Sequence, residues 1–324
     1  MPDASLVTLE AVRAAAERLR GKVHRTPLFS SEQIGDRCGA RLFLKAENLQ
    51  KTGSFKARGA LNRVLSLTAE EKARGLVTFS AGNHAAAVAW AGRSAGAPAT
   101  VVMPSAAPAA KVDAVKGYGA EVILEPDRAQ LFARMNAIRE ERGLTLVPPF
   151  DDPDVIAGAA TAALEVLEDL PEADVFVAAV GGAGLLSGMV TVVRALRPAA
   201  KVIAVEIEGF PGLRAALSAG KPVTVAKPAQ TWMDGLTAPF VGEINFAIVK
   251  DQIDDLVTVT EAEAFAAMEL LMSRAKLFVE GAGAAATAAL LAGKVPAARG
   301  RTTVAMISGG NVDLERIAAA VRAP

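Results

Sequence analysis

Cysteine and histidine are nearly missing from this chain of 324 residues, which holds one Cys and two His. Cys38 alone cannot close an internal disulfide, and His24 and His84 cannot complete a Cys/His zinc set. An excess of charge of either sign is missing too, with 35 Lys plus Arg against 35 Asp plus Glu. No basic stripe interleaved with aromatics marks a nucleic-acid surface. Long hydrophobic runs are absent: the most apolar stretch, "GAGAAATAALLAG" at 281–293, falls short of the about 20 residues that cross a bilayer. The first 22 residues mix acids and bases along a helical pattern, without the charged-then-apolar order of a signal peptide. The expectation is a cytoplasmic protein in a reducing compartment, with neither nucleic acid nor membrane as partner.

What is present is apolar content of 52%, enough to fill a large core. Short β-branched runs (76–80, 99–104, 120–125, 145–150, 174–180, 201–208, 255–260 and 302–310) alternate with alanine-rich helical patterns (84–96, 107–118, 128–142, 157–169, 185–197, 261–275 and 282–292). That alternation predicts an α/β fold with parallel-rich sheets flanked by helices. No linker, low-complexity tract or repeat divides the chain. The proline-bearing "LVPPFDDPDV" (146–155) is the best candidate boundary, because each proline disfavours helix in the residue before it.

Ligands of parallel α/β sheets bind beyond the carboxyl ends of the strands, which draws attention to three strand-to-helix turns. In "VAAVGGAGLLSGMV", Gly181, Gly182, Ala183 and Gly184 lead from a buried strand into a helix near Leu185. Small residues at a helix N-terminus suit a phosphate. A turn that binds nothing is the bland alternative, and a dinucleotide site is a rival, supported by Glu206 where a ribose-binding acid would sit. The fingerprint, however, wants glycine at 187, where Ser187 stands. In "VTFSAGNHAAAVAWAG", Ser80, Ala81, Gly82, Asn83 and His84 form a turn whose successive N–H groups suit a carboxylate. Ser80 and Asn83 equally fit helix capping, and His84 fits a local hydrogen-bonding role better than that of a base. In "TTVAMISGGNVDLERIAAAV", Ser308 ends a strand before the last helix, where its hydroxyl can meet a ring nitrogen without bringing charge or can simply start the helix.

The fourth element is "QKTGSFKARGA" (50–60). Ser54 reads as the N-cap of a helix from about 55 to 67, with Lys56 in its first turn on the stripe of Ala60, Val64 and Leu67, and Arg58 and Asn62 on the polar face. The helix N-terminus and apolar surroundings both lower a lysine's pKa, and a neutral lysine is a nucleophile or base. A snorkelling surface lysine is the alternative. A phosphate cradle, a carboxylate nest, an uncharged partner for a ring nitrogen and an activated lysine together describe a pyridoxal 5′-phosphate site.

With these motifs in order, the chain resembles the pyridoxal-phosphate enzymes of the tryptophan-synthase-β fold group (fold type II), and within it the serine/threonine dehydratase and serine racemase family. The likeness runs from "HRTPLFSS" (24–31) through "KAENLQKTGSFKARGA", "SAGNHA", "PFDDPDVIAG", "VGGAGLLSG" and "MDGL" to "ISGGNVDL" (307–314). The resemblance implies that Lys56 bonds covalently to the cofactor aldehyde, Phe55 packs beside the ring and Asn83 bonds the ring hydroxyl. It further implies that 181–185 hold the phosphate, Ser308 meets the pyridine nitrogen and Ser80 to His84 grip the carboxylate of a small β-hydroxy amino acid. It also implies a large domain (1–66 and 148–324), a small mobile domain (67–147), a homodimer, and elimination of water from threonine or serine to give a 2-oxo acid and ammonia.

Departures sharpen the reading. Ala81 replaces the serine that donates a proton in the family's racemases, which favours a dehydratase over a serine racemase. A dehydratase of hydroxyaspartate or of a bulkier β-hydroxy amino acid and a β-replacement synthase remain alternatives. Ala183 stands for a glycine in the phosphate loop, Gly281 for a proline, and Trp232 and Met233 for smaller residues. Relatives that hold a divalent cation do so through an acid like Glu206, a backbone carbonyl like that of Phe210 and a second acid, but Gly212 stands in that last place, so no cation site is expected. With ten residues after Leu314, inhibition by isoleucine through an appended regulatory domain is not expected either.

Overall fold

The computed structural model describes residues 7–226, 231–314 and 317. Ten strands are found among them: β1 (Leu28–Ser30), β2 (Arg41–Ala46), β3 (Leu76–Phe79), β4 (Ala99–Pro104), β5 (Glu121–Glu125), β6 (Thr145–Leu146), β7 (Val175–Ala179), β8 (Lys201–Ile207), β9 (Asp255–Val259) and β10 (Thr302–Ile307). They form two sheets. The larger has the order β1-β2-β10-β7-β8-β9, parallel except for the antiparallel edge β1, and the smaller has the order β5-β4-β3-β6, all parallel. The α/β expectation is met, with β1 and β2 as additions that sequence pattern did not mark.

The helices are α1 (Leu9–Leu19), α2 (Glu32–Cys38), α3 (Lys56–Ser66), α4 (Ala69–Arg74), α5 (Asn83–Ala95), α6 (Ala109–Gly117), α7 (Leu131–Arg142), α8 (Pro153–Asp169), α9 (Gly184–Leu196), α10 (Gly212–Ala219), α11 (Glu243–Val249), α12 (Glu261–Leu270) and α13 (Gly281–Leu291). Local chemistry explains several starts. Thr68 with Glu71 and Thr260 with Glu263 make reciprocal capping boxes for α4 and α12. Asp152 caps α8 with Pro153 in its first turn, where a missing N–H costs nothing. The helix expected after Asn311 lies largely outside the described residues.

Alternation along the strands divides the large core. Phe176, Ala178, Val202 and Ala204 face α8 and α9, whereas Val175, Val177, Ile203 and Val205 face the side of α12 and α13. The small sheet packs Leu76, Val101 and Met103 against α5 and α6, and Val77 and Val102 against α7. Helix α3 joins the two bodies: Ala60, Leu61 and Val64 enter the small sheet's core, while a β-carbon at Gly59 would collide with the Val155 carbonyl of α8. This double packing corrects the expected polar face, because Arg58 and Asn62 are fully buried. A helix between two partners keeps little solvent face, here mainly at the end around Arg63, Leu65 and Ser66.

Candidate active site

Lys56 opens α3, but Ser54 does not cap it. Ser54 is extended, buried and bridged to Gly309, and its hydroxyl has no partner among the described residues; the position before α3 belongs to Phe55. The cause is tertiary: Phe55 N donates to Ser308 O at 3.1 Å, which pulls the segment onto the end of β10 and commits Ser54 to extended backbone. One consequence is that the lysine lies beside Ser308, the residue expected at a ring nitrogen. The Lys56 amine donates to Pro149 O at 2.6 Å and lies 5.0 Å from the centre of the Phe55 ring. No carboxylate pairs with it among the described residues, and burial lowers its pKa to about 8.

The strap 147–150 carries the site from both sides. Val147 O accepts from His84 Nε2 at 2.9 Å, Pro149 O accepts from Lys56, and Phe150 O accepts from Asn245 Nδ2 at 3.2 Å. The Phe150 ring fills the space beneath Gly182, where any β-carbon would overlap it. His84 is buried and its pKa falls to about 3, through burial first and the nearby Lys56 charge second. It is a structural donor, not a base near neutrality, as the sequence favoured.

The glycine-rich loop meets an anion's requirements. Gly182, Ala183, Gly184 and Leu185 are buried, and no described residue accepts from the backbone N–H of any residue from Gly181 to Leu185. Buried unpaired N–H groups at the start of a helix are costly unless an anion meets them. Ala183 takes the left-handed conformation, φ 71° and ψ 10°, so its methyl group strains the backbone at this point. Ser308 is buried, and among the described residues its hydroxyl makes only a long contact of 3.4 Å to Ala282 O, which leaves it open to a further partner.

The turn 80–84 lies opposite. Ser80 Oγ accepts from Gly82 N at 3.1 Å and no side chain caps α5, while Ala81, Asn83 and His84 keep backbone N–H groups without a described acceptor. This fits a carboxylate nest better than simple capping. Asn83 is held at both ends: its Nδ2 donates to Glu280 Oε1 at 2.6 Å and its Oδ1 accepts from Asn311 Nδ2 at 2.8 Å. Glu280 carried no motif in the sequence, and its partner lies far away along the chain, so only the structure could place it.

Phe55, Lys56, Ser308, the 181–185 loop and the 80–84 turn are thus joined through the strap, Glu280 and Asn311. Unpaired phosphate donors, an uncharged hydroxyl, an aromatic side chain and an amine without a counter-ion fit a phosphorylated pyridine aldehyde. Glu206 and Phe210 stand apart. The Glu206 carboxylate accepts from Leu213 N and Arg214 N at the start of α10, and Phe210 O accepts from Gly212 N at 3.1 Å. Among the described residues no group of three acids, histidines or cysteines is placed to hold a metal, and no helix is long and apolar enough to cross a membrane.

Comparison with known proteins points the same way. Residues 19–309 match the family model described as pyridoxal-phosphate dependent enzyme. The L-threonine ammonia-lyase of Thermotoga maritima is 42% identical over 314 residues, 96% of this chain and 77% of that protein. The L-threonine dehydratase catabolic TdcB of Escherichia coli K12 is 41% identical over 96% of this chain and 95% of its own. Among solved structures, maize serine racemase superposes with a TM-score of 0.92 at 36% identity, covering 98% of this chain and 97% of that one. The threonine deaminase of T.th. gives a TM-score of 0.89 at 40% identity, covering 95% of this chain and 99% of that one.

Proposed function

Because this chain belongs to the pyridoxal-phosphate dependent enzyme family, we propose that it is a threonine/serine ammonia-lyase, eliminating water from L-threonine or L-serine and, once that water is taken up again, giving the 2-oxo acid and ammonia. The observation that carries this reading is the Lys56 amine, poised at Pro149 O with no carboxylate among the described residues to keep it charged. The relatives named for threonine dehydration support the substrate class.

In this reading each residue has a role. The 181–185 loop binds the phosphate through its N–H groups, Ser308 meets the pyridine nitrogen without adding charge, Asn83 meets the ring hydroxyl and Phe55 packs beside the ring. The Ala81, Asn83 and His84 N–H groups bind the substrate carboxylate. The Lys56 amine would take the α-proton, and the β-hydroxyl would leave as water, accepting a proton as the Cβ–O bond breaks. When bound, pyridoxal phosphate supplies the electron sink that makes the α-proton acidic. The 2-amino-alkenoic acid that is set free then takes up water, giving the 2-oxo acid and ammonia.

Serine racemases are structural neighbours, but inversion needs an acid on the substrate face opposite Lys56, and Ala81 has no proton to give there. Release of 2-oxo acid from a panel of β-hydroxy amino acids, followed alongside chiral analysis of the remaining serine, is the test; faster appearance of D-serine than of pyruvate would overturn the assignment. Serine supplied with a thiol tests the β-replacement alternative. We further propose that 67–147 moves over bound substrate against 1–66 and 148–324, a motion that hydrogen exchange at the 147–150 strap would register. Two exposed side chains, Leu49 and Phe278, lie on segments joined by Asn48 Nδ2 donating to Phe278 O, and support a homodimer, which sedimentation or sizing measurements of mass would check.

A further inference from the structure

Glu280 has a place that the roles above do not use. It immediately precedes α13, yet its side chain does not cap that helix. Its carboxyl turns instead towards the small sheet and accepts from Asn83 Nδ2, while its backbone N–H donates to Gly309 O at 3.2 Å. The group lies flat against the chain next to Ser308: a β-carbon at Gly309 would overlap Glu280 Oε1 and come within 3.1 Å of Asn83 Nδ2. Only 6% of the residue is exposed. No lysine or arginine forms an ion pair with it among the described residues. Its charged neighbours are Asp234, on the turn after Met233, and Lys111 on α6, which bond each other at 3.5 Å.

A buried carboxyl without a cation is costly to keep charged, so one is retained where its acceptor atoms position something. Here that is the Asn83 amide. Asn83 belongs to α5 of the small sheet, while Glu280 and Asn311 both stand beside the end of β10, and they grip the amide from its two ends. We propose that Glu280 is a positioning residue of the reaction, holding the Asn83 amide in register with Ser308 across the gap between the two sheets. The inference rests on the elimination reading for its kinetic part and on geometry for the rest. Burial and then Asp234 push the carboxyl's pKa up to about 7, against the Asn83 bond and Lys111. Its charge beside the ring site therefore changes near neutrality.

The test compares holoenzyme carrying the wild-type residue, Glu280→Gln and Glu280→Met. Gln keeps an acceptor for Asn83 and cannot ionise; Met keeps the bulk and has no acceptor of comparable strength. The bound cofactor's absorbance should inflect near pH 7 in the wild type and lose that inflection in Glu280→Gln. Lys56 and His84 are unchanged in that variant, so the difference isolates Glu280. At pH 6, kcat/KM of Glu280→Gln should stay within about threefold of wild type, whereas Glu280→Met should lose about tenfold or more, as expected for a buried donor left unpaired. An unchanged inflection in Glu280→Gln, or wild-type kcat/KM in Glu280→Met, overturns the proposal. Should Glu280→Met fail to melt cooperatively, the Glu280→Gln titration decides. Should the wild type release no 2-oxo acid from any substrate, the elimination reading falls while the absorbance titration still judges Glu280.

Discussion

Lys45 and Lys56 both turn their amines inward, and their surroundings are opposite. Lys45 is fully buried on β2, where its amine donates to Glu165 Oε2 at 2.5 Å and to Thr26 O at 2.8 Å. Beside it Arg58 is clamped by Glu47 and Glu165, with contacts of 2.7 and 2.8 Å. Burial opposes the Arg58 charge, but the two carboxylates outweigh it and raise the pKa; burial lowers that of Lys45, and Glu165 and Glu47 counter it. Among the described residues the Lys56 amine has only a carbonyl as hydrogen-bond partner. Burial removes a basic group from water in both places, and the presence or absence of a carboxylate decides whether the result is scaffold or chemistry. The two regions share α3, so the charge cluster fixes the helix on which the reactive amine stands.

The largest effect that would test this contrast is on the unpaired side. Lys56→Ala should lower turnover by on the order of 10³-fold, because the proton acceptor is gone, while the apoprotein's melting temperature holds or rises, since no ion pair is lost. A large fall in stability would place Lys56 with Lys45. On the paired side, Glu47→Ala strands Arg58 among fewer carboxylates and should cost about 3–5 kcal/mol in chemical denaturation; a loss below about 1 kcal/mol would mean that the cluster contributes little.

His84 sharpens the contrast through pH. Its folded pKa of about 3 lies below the ordinary 6.5, so between those values the unfolded chain binds a proton that the folded one refuses. Stability should fall as pH drops through that window, and His84→Gln should flatten the fall; equal acid sensitivity in the two proteins would show His84 to be uninvolved. The smallest effect belongs to the phosphate loop. Ala183→Gly should relieve left-handed strain and change stability by about 1 kcal/mol or less, with tighter or unchanged cofactor binding by equilibrium titration; weaker binding would mean that the methyl group stiffens the loop usefully.

How much of this was legible depended on distance along the chain. The 181–185 loop, the 80–84 turn and Lys56 each stand in a short pattern whose chemistry is local, and the strand-helix alternation predicted the fold class. Ser54 was misread because residue type suggests a cap while β10 decides its backbone. Arg58 and Asn62 were misread because periodicity reports one apolar face and cannot tell that α3 is packed on two. Strand β2 escapes pattern reading because "RLFLKA" carries a charge near each end, and Lys45 finds its ion-pair partner, Glu165, on distant α8. Glu280 needed Asn83 from the opposite sheet.

The order of strands in the large sheet has a bearing on how the protein is made. β2 and β7 do not pair with each other; β10 lies between them and pairs with both. Of the described strands β10 comes latest in chain order, whereas β3 to β6 follow one another without interruption. The small sheet can therefore assemble during synthesis, while the large one waits as two halves with open backbone edges until β10 slots in and joins them. Slowing translation just before that segment would lengthen the exposure of those edges and should raise the share of nascent chain lost to aggregation.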